Sequence, residues 1–112
     1  MHHTMTLTSP WFGFVASGLK TVELRVHDAK RQRVRRGDTI CFRHAKTGLP
    51  ITRTVERVST YPSFRAALDA VGLEHALPRC RDLDAGVETY EAIQGYAEGV
   101  RTHGVVAIAL ET

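Results

Sequence analysis

The sequence predicts an α+β fold, a small curled sheet or β-barrel of about five strands with helices packed around it. Three observations support this class. Several short segments alternate apolar and polar residues, as half-buried strands do. Others carry apolar residues three and four positions apart between helix start and stop signals. The last segment is apolar at nearly every position, which is typical of a central strand covered on both faces.

Length and composition limit the possible classes. With 112 residues, 43% of them hydrophobic, the chain can close one core, so residues 1–112 are expected to form one domain. No run approaches the roughly 18 to 20 apolar residues of a membrane span, and the first residues lack the pattern of a secretion signal. We therefore expect a soluble, cytoplasmic protein that enters no membrane. Two cysteines and no metal-ligand spacing predict neither a disulfide framework nor a metal or other cofactor.

The N-terminal segment predicts a short strand followed by a short helix. The strand covers Met5–Thr8. Ser9 can cap the helix, with Pro10 at the first helical position. Gly18 supplies the left-handed residue that ends it. The apolar residues of this helix share one face: Trp11, Phe14 and Val15.

The next elements are strands separated by a polar segment. Residues 21–27 alternate, with Val22, Leu24 and Val26 on one face. Residues 28–36 have no apolar period and predict an exposed loop. Strands follow at residues 39–43 and 51–61, joined by a hairpin turn. A change of apolar parity near Glu56 predicts a β-bulge in the second of them.

The C-terminal half predicts two helices and the final strand. Ser63 can cap a helix that ends at Gly72, and Asp84 can cap a second one that continues to about Ala97. Residues 104–110 form the apolar central strand. The predicted inward residues of the second helix are Val87, Tyr90, Ile93 and Ala97.

Charge is distributed unevenly along the chain. Residues 1–65 hold twelve Lys or Arg and four Asp or Glu, whereas residues 66–112 hold three and eight. If the first half supplies one face, that face attracts polyanions in a salt-sensitive way. A scatter of solvated arginines over the surface explains the same counts, so both interpretations stay open.

The strongest candidate site lies at the start of the second predicted strand. A strand places Glu23 and Arg25 on one face, and Lys20 at its entry can reach them. Arg25 can hold a phosphate, Glu23 can accept from a base amino group, and Lys20 can contact phosphate or transfer a proton. The alternative is an ordinary ion pair on a solvated strand.

The order of these motifs resembles the ASCH domain, a family related to PUA-type RNA-binding barrels. The resemblance extends from about Met5 to Leu110, and its most specific element is the Gly-x-Lys-x-x-Glu-x-Arg string that begins at Gly18. It is carried by Pro10-Trp11-Phe12, Gly18-x-Lys20-Thr21-Val22-Glu23-x-Arg25, Gly37-Asp38-Thr39-Ile40, Tyr61-Pro62-Ser63-Phe64 and Gly104-Val105-Val106-Ala107-Ile108.

The resemblance implies a PUA-like barrel with a basic cleft, lined by Lys20, Glu23 and Arg25, that binds RNA or a nucleotide without a metal. It also implies a hydrolase alternative. Some relatives remove the acyl group of a modified cytidine with a lysine and a threonine three residues later, but Glu23 stands at the threonine position. Others have been described as ribonucleases. If the chain is an enzyme, Lys20 and Glu23 are the predicted catalytic residues.

A third hypothesis is a protein-interaction module of a transcription or RNA-processing complex, with the acidic C-terminal half as its surface.

Further candidate residues have two interpretations each. Tyr61 and Ser63 either line the cleft, or Tyr61 is an aromatic residue at the end of a strand and Ser63 caps a helix. We expect one of Trp11 and Phe12 to border the cleft. Arg31 and Arg33 belong to a basic segment that either contacts phosphates or is simply solvated.

Overall fold

A single five-stranded sheet curls into a half-barrel in the computed structural model, which describes residues 1–111. The strand order is β1-β3-β4-β5-β2, so β1 and β2 are the two edges. The elements are β1 (His2–Leu7), α1 (Trp11–Ser17), β2 (Val22–Val26), a 3₁₀ turn (Arg31–Arg33), β3 (Thr39–His44), β4 (Pro50–Tyr61), α2 (Phe64–Val71), α3 (Leu73–Ala76), α4 (Leu83–Glu91), α5 (Tyr96–His103) and β5 (Val105–Leu110).

The predicted α+β class and the five-stranded curled sheet are confirmed. β1 pairs with β3 in parallel, and the other three ladders are antiparallel. The last strand, β5, lies between β4 and β2 and is almost entirely buried, as its uniformly apolar sequence predicts.

Two hydrophobic clusters lie on opposite faces of this sheet. The inner cluster fills the concave side and contains Phe42, Val55 and Ile108. The outer cluster packs the helices onto the convex side, with Leu24 of β2 against Phe64 and Leu68 of α2. Because β2 buries residues on both of its faces, its alternating side chains do not separate a core side from a solvent side.

Several local predictions are confirmed. The register of β4 against β5 shifts between Val55 and Arg57, which is the bulge predicted near Glu56. The Ser63 hydroxyl accepts from Ala66 N at 3.0 Å and so caps α2.

Two predicted helix starts are wrong. Ser9 does not cap α1, because its hydroxyl hydrogen-bonds the His44 ring at 2.8 Å instead. Asp82, not Asp84, caps α4 and accepts from Ala85 N at 2.8 Å. The single helix predicted from Asp84 to about Ala97 is also wrong. It is two helices, α4 and α5, because Gly95 adopts a left-handed conformation between them.

No helix within the described residues is long and apolar enough to cross a bilayer.

The turn from α5 into β5 gives a test of the fold. Gly104 has φ of +72°, and a Cβ there would lie 2.9 Å from the backbone oxygen of Tyr61. Gly104→Ala should therefore lower the free energy of unfolding by about 1–3 kcal/mol through backbone strain alone, measured by urea denaturation.

A matched glycine provides the control. Gly13 lies in α1, where an added Cβ would meet nothing within 4 Å beyond its chain neighbours and the backbone of its own helix. Gly13→Ala should raise the free energy of unfolding by up to about 1 kcal/mol, because alanine favours helix. Equal effects at the two sites would contradict the role assigned to Gly104.

Candidate functional site

A cavity of about 340 Å³ occupies the gap between the two edge strands of the half-barrel. Its walls come from the end of β1, the start of α1, β2, and the helices α4 and α5. The volume falls at the lower end of the range of about 300–1,000 Å³ that small-molecule sites occupy. The charged residues of its lining are Lys20, Glu23 and Arg25.

These three side chains converge because of the geometry of β2. Glu23 and Arg25 alternate with the valines and leucine that face the helices, so both lie on the concave side of the sheet. The side chains of Lys20, Glu23 and Arg25 are 1%, 3% and 12% exposed. They form a buried ion cluster rather than a pair on a solvated strand.

Lys20 has an acceptor for each of its three N–H donors. Nζ donates to Val22 O at 2.8 Å and to Ala76 O, and it contacts Glu23 Oε1 at 3.2 Å. Because Ala76 ends α3, the lysine joins that helix to β2. No N–H of an ionised Lys20 is left for a phosphate.

Arg25 connects Glu23 to the opposite edge of the sheet. Its Nε and Nη2 donate to Glu23 Oε2 at 3.0 and 2.8 Å, and Nη2 also donates to Thr6 O of β1 at 2.9 Å. An arginine has five N–H donors, so the two on Nη1 remain for neighbouring Tyr96 or for a ligand. The guanidinium therefore bridges the gap in which the cavity lies.

Burial and the neighbouring charges act in opposite directions on the buried groups. Burial alone would raise the pKa of Glu23, but the positive charges and hydrogen bonds of Lys20 and Arg25 hold that pKa below its ordinary value. Burial lowers the pKa of Lys20, although the nearby Glu23 carboxylate opposes this shift. Two cations and one carboxylate leave the ionised cluster with a net positive charge.

Aromatic residues complete the walls. Trp11, at the start of α1, lines the cavity and is the only tryptophan of the chain. Tyr90 of α4 and Tyr96 of α5 line it from the helical side. Sequence reasoning assigned Tyr90 to an apolar helix face and did not consider Tyr96. The packing of α4 on α2 and α5, and of α5 on β2, brings them here.

The other predicted site residues lie elsewhere. Ser63 is committed to capping α2, and Tyr61 borders a separate depression that also contains Thr21 and His75. Arg31 is held by Asp28 at 2.9 Å, whereas Arg33 is exposed on the same 3₁₀ turn. The structure therefore gathers Lys20, Glu23, Arg25 and Trp11 from the predicted set, and separates Tyr61, Ser63, Arg31 and Arg33 from them.

Across residues 1–111, no group of three or more His, Cys, Asp or Glu is arranged to hold a metal ion.

Comparison with known proteins assigns a family and a fold. The model of the ASCH domain matches residues 5–112. The hypothetical protein PH0355 superposes with a TM-score of 0.89 at 31% identity, covering 99% of this chain and 98% of its own. Protein PF0455 of Pyrococcus furiosus gives 0.79 at 31% identity, with 99% and 96% covered.

A more distant likeness concerns the fold alone. The ZmASCH protein of Zymomonas mobilis superposes with a TM-score of 0.66 at 14% identity, covering 97% of this chain and 66% of its own. No curated protein matches the chain.

The buried lysine provides the first test of the site. Lys20→Met should lower the free energy of unfolding by about 3–5 kcal/mol, because it removes one partner of a buried ion cluster. Urea denaturation measures this. The control is Lys46→Met in the exposed β3–β4 turn, for which a change within about 0.5 kcal/mol is expected. A similar small change for Lys20→Met would contradict the structural role.

Glu23 gives a pH dependence of known sign. Its pKa is lower in the folded state than the value of about 4.3 in an unfolded chain. Its contribution to stability is therefore complete above that pH and is lost as pH falls through the folded pKa. From neutral pH to about pH 3, wild type should lose more free energy of unfolding than Glu23→Gln does.

A second acid with a lowered pKa does not confuse this comparison. Hydrogen bonds from His3 and from Arg35 N hold the pKa of Asp38 well below its usual value. Asp38 is present in both proteins, so its contribution cancels. Equal losses of stability in wild type and Glu23→Gln would show that the Glu23 carboxylate is not held in this way.

Proposed function

The chain belongs to the ASCH domain family, whose fold is PUA-like, and on that premise we propose that it binds RNA by admitting one nucleotide to the cavity beside Glu23 and Arg25. The observation that carries the proposal is the buried ion cluster at the wall of a cavity of suitable size. An RNA chain as a whole does not fit about 340 Å³, so the cavity would take an unstacked nucleotide of a single strand.

The cluster offers a nucleotide both kinds of hydrogen bond. Glu23 Oε2 accepts two hydrogen bonds from Arg25, whereas Oε1 contacts Lys20 alone and keeps capacity for a base N–H. Nη1 of Arg25 can donate to a carbonyl oxygen or a phosphate. Because Glu23 and Thr6 already fix the guanidinium, little side-chain entropy is lost when a ligand binds.

Trp11 supports the same proposal from the rim. An indole is a stacking surface for any base, and base–aromatic stacking contributes about 1–3 kcal/mol per base. Thr6 and Thr8 lie on the same side of the cavity and carry hydroxyl groups that hydrogen-bond ribose or phosphate well.

The basic segment between β2 and β3 can extend the contact along an RNA backbone. Lys30, Arg33, Arg35 and Arg36 are all exposed there. Arg35 and Arg36 also border a depression with Arg57 of β4, whose own ion pair with Glu56 is long, at 3.7 Å, and exposed. Such cations bind phosphates without reading sequence.

Hydrolysis has less support from the geometry. A general base accepts a proton during the reaction. The lowered pKa of Glu23 makes its carboxylate a weak base, and the three N–H groups of an ionised Lys20 all have acceptors. Several of these contacts would have to change before either residue could act as a general base.

The binding test uses the single tryptophan as a reporter. Adding ribonucleoside 5′-monophosphates or a short single-stranded RNA should change Trp11 fluorescence. Arg25→Gln should weaken binding by about 10- to 100-fold, the loss expected for hydrogen bonds from a charged group. RNA affinity should also fall steeply with salt, more so than mononucleotide affinity.

The control for charge is Arg65→Gln. Arg65 lies on α2, is exposed, and pairs with Asp84 away from the cavity. We expect no change in mononucleotide affinity for this variant. An unchanged affinity in Arg25→Gln, or no binding by wild type, would overturn the proposed function.

A further inference from the structure

The hydroxyl of Tyr90 is a buried polar group without a protein partner. Tyr90 is 5% exposed and lines the cavity, and its oxygen finds no hydrogen bond among the described residues. Buried tyrosine hydroxyls usually find a partner, because an unpaired one loses its hydration without compensation. Arg31 Nε is the other buried side-chain atom in this condition, and it lies outside the cavity.

Packing explains the ring of Tyr90 but not its hydroxyl. The ring stacks on Phe64 with centroids 4.8 Å apart and an interplanar angle of 1°. It belongs to the outer hydrophobic cluster beneath α2 and α4. A phenylalanine would make the same stack and would leave no polar atom to satisfy. The hydroxyl therefore calls for a reason other than the stability of the fold.

The groups around this hydroxyl are those of the candidate site. The charges of Glu23 and Arg25 on β2 act on it, as do Tyr96 on α5 and Cys80 in the loop before α4. Burial, and then the negative charge of Glu23, raise the pKa of Tyr90 well above its ordinary value. At neutral pH the group is an intact O–H donor in the cavity wall.

We propose that Tyr90 is a specificity-determining residue whose hydroxyl donates a hydrogen bond to an acceptor atom of the base in the cavity. This inference rests on the proposed function. The ligand class it implies is a nucleobase edge that carries an acceptor beside an N–H donor. The acceptor, a carbonyl oxygen or ring nitrogen, takes the Tyr90 proton, and the N–H donates to Glu23 Oε1.

Each of the four bases carries an acceptor beside an N–H, so with the sugar held at the rim the two contacts select by the order of donor and acceptor along the base edge. A base with the opposite order of donor and acceptor would leave both Tyr90 and Glu23 unpaired in a site shielded from water. Sites built around buried polar groups reject ligands that lack the matching group far more strongly than apolar pockets do. Burial of the two groups is thus what makes them selective.

The test compares Tyr90→Phe with Tyr61→Phe, the same chemical change outside the cavity. The probes are the four ribonucleoside 5′-monophosphates and ribose 5-phosphate, which lacks a base. Tyr90→Phe should lose about tenfold or more in affinity for the preferred mononucleotide, with less difference among the four. Its thermal midpoint should stay unchanged or rise, since an unpaired buried group is removed. Tyr61→Phe and ribose 5-phosphate should show no such loss.

The outcomes separate this inference from the proposed function. If wild type binds a mononucleotide and Tyr90→Phe binds it equally well, the role of the hydroxyl is overturned while nucleotide binding stands. A lower thermal midpoint with unchanged affinity would make the hydroxyl structural and overturn the inference as well. If wild type binds none of the probes, the proposed function fails, and the inference fails with it.

Discussion

The buried ion cluster of Lys20, Glu23 and Arg25 is the constraint on which the rest of the site depends. A curled sheet that does not close leaves two edge strands with unpaired backbone groups. Here Arg25 reaches from β2 to the Thr6 carbonyl of β1, while Lys20 ties β2 to α3. The carboxylate of Glu23 lies between the two cations and makes their burial tolerable. The same contacts bridge the gap in which the cavity lies.

Much of the fold follows from local signals in the sequence. The uniformly apolar final segment identified β5 as the central strand, and the change of parity near Glu56 identified the bulge. Helix caps were predicted less reliably, because a capping side chain can instead hydrogen-bond another group that the fold brings close to it. Ser9 has the side chain of a cap, but His44, which is 35 residues away, competes for its hydroxyl. Asp82 and Asp84 are equally good caps by type. In the fold the extended Asp82 accepts from Ala85 N, whereas Asp84 pairs with Arg65 of α2.

The sequence predicts which charged residues come together at the site, but it does not predict that they are buried. Alternation along β2 places Glu23 and Arg25 together, and this follows from strand geometry alone. That their face is the concave, buried one depends on the curl of the whole sheet, which no local pattern contains. Tyr90 and Tyr96 line the cavity because of how the helices pack. The apolar pattern predicts that Tyr90 points inward, but it does not predict that the Tyr90 hydroxyl lies near charged groups.

The closure of the half-barrel by a side chain has a dynamic consequence. Between β1 and β2 the seam includes one guanidinium–carbonyl hydrogen bond, whereas the four strand ladders lie elsewhere in the sheet. Rotation of Arg25 about its own bonds would widen the seam and leave every backbone ladder intact. Exchange of a molecule through this seam then requires that the hydrogen bonds of one buried side chain break, but it requires no strand to unpair.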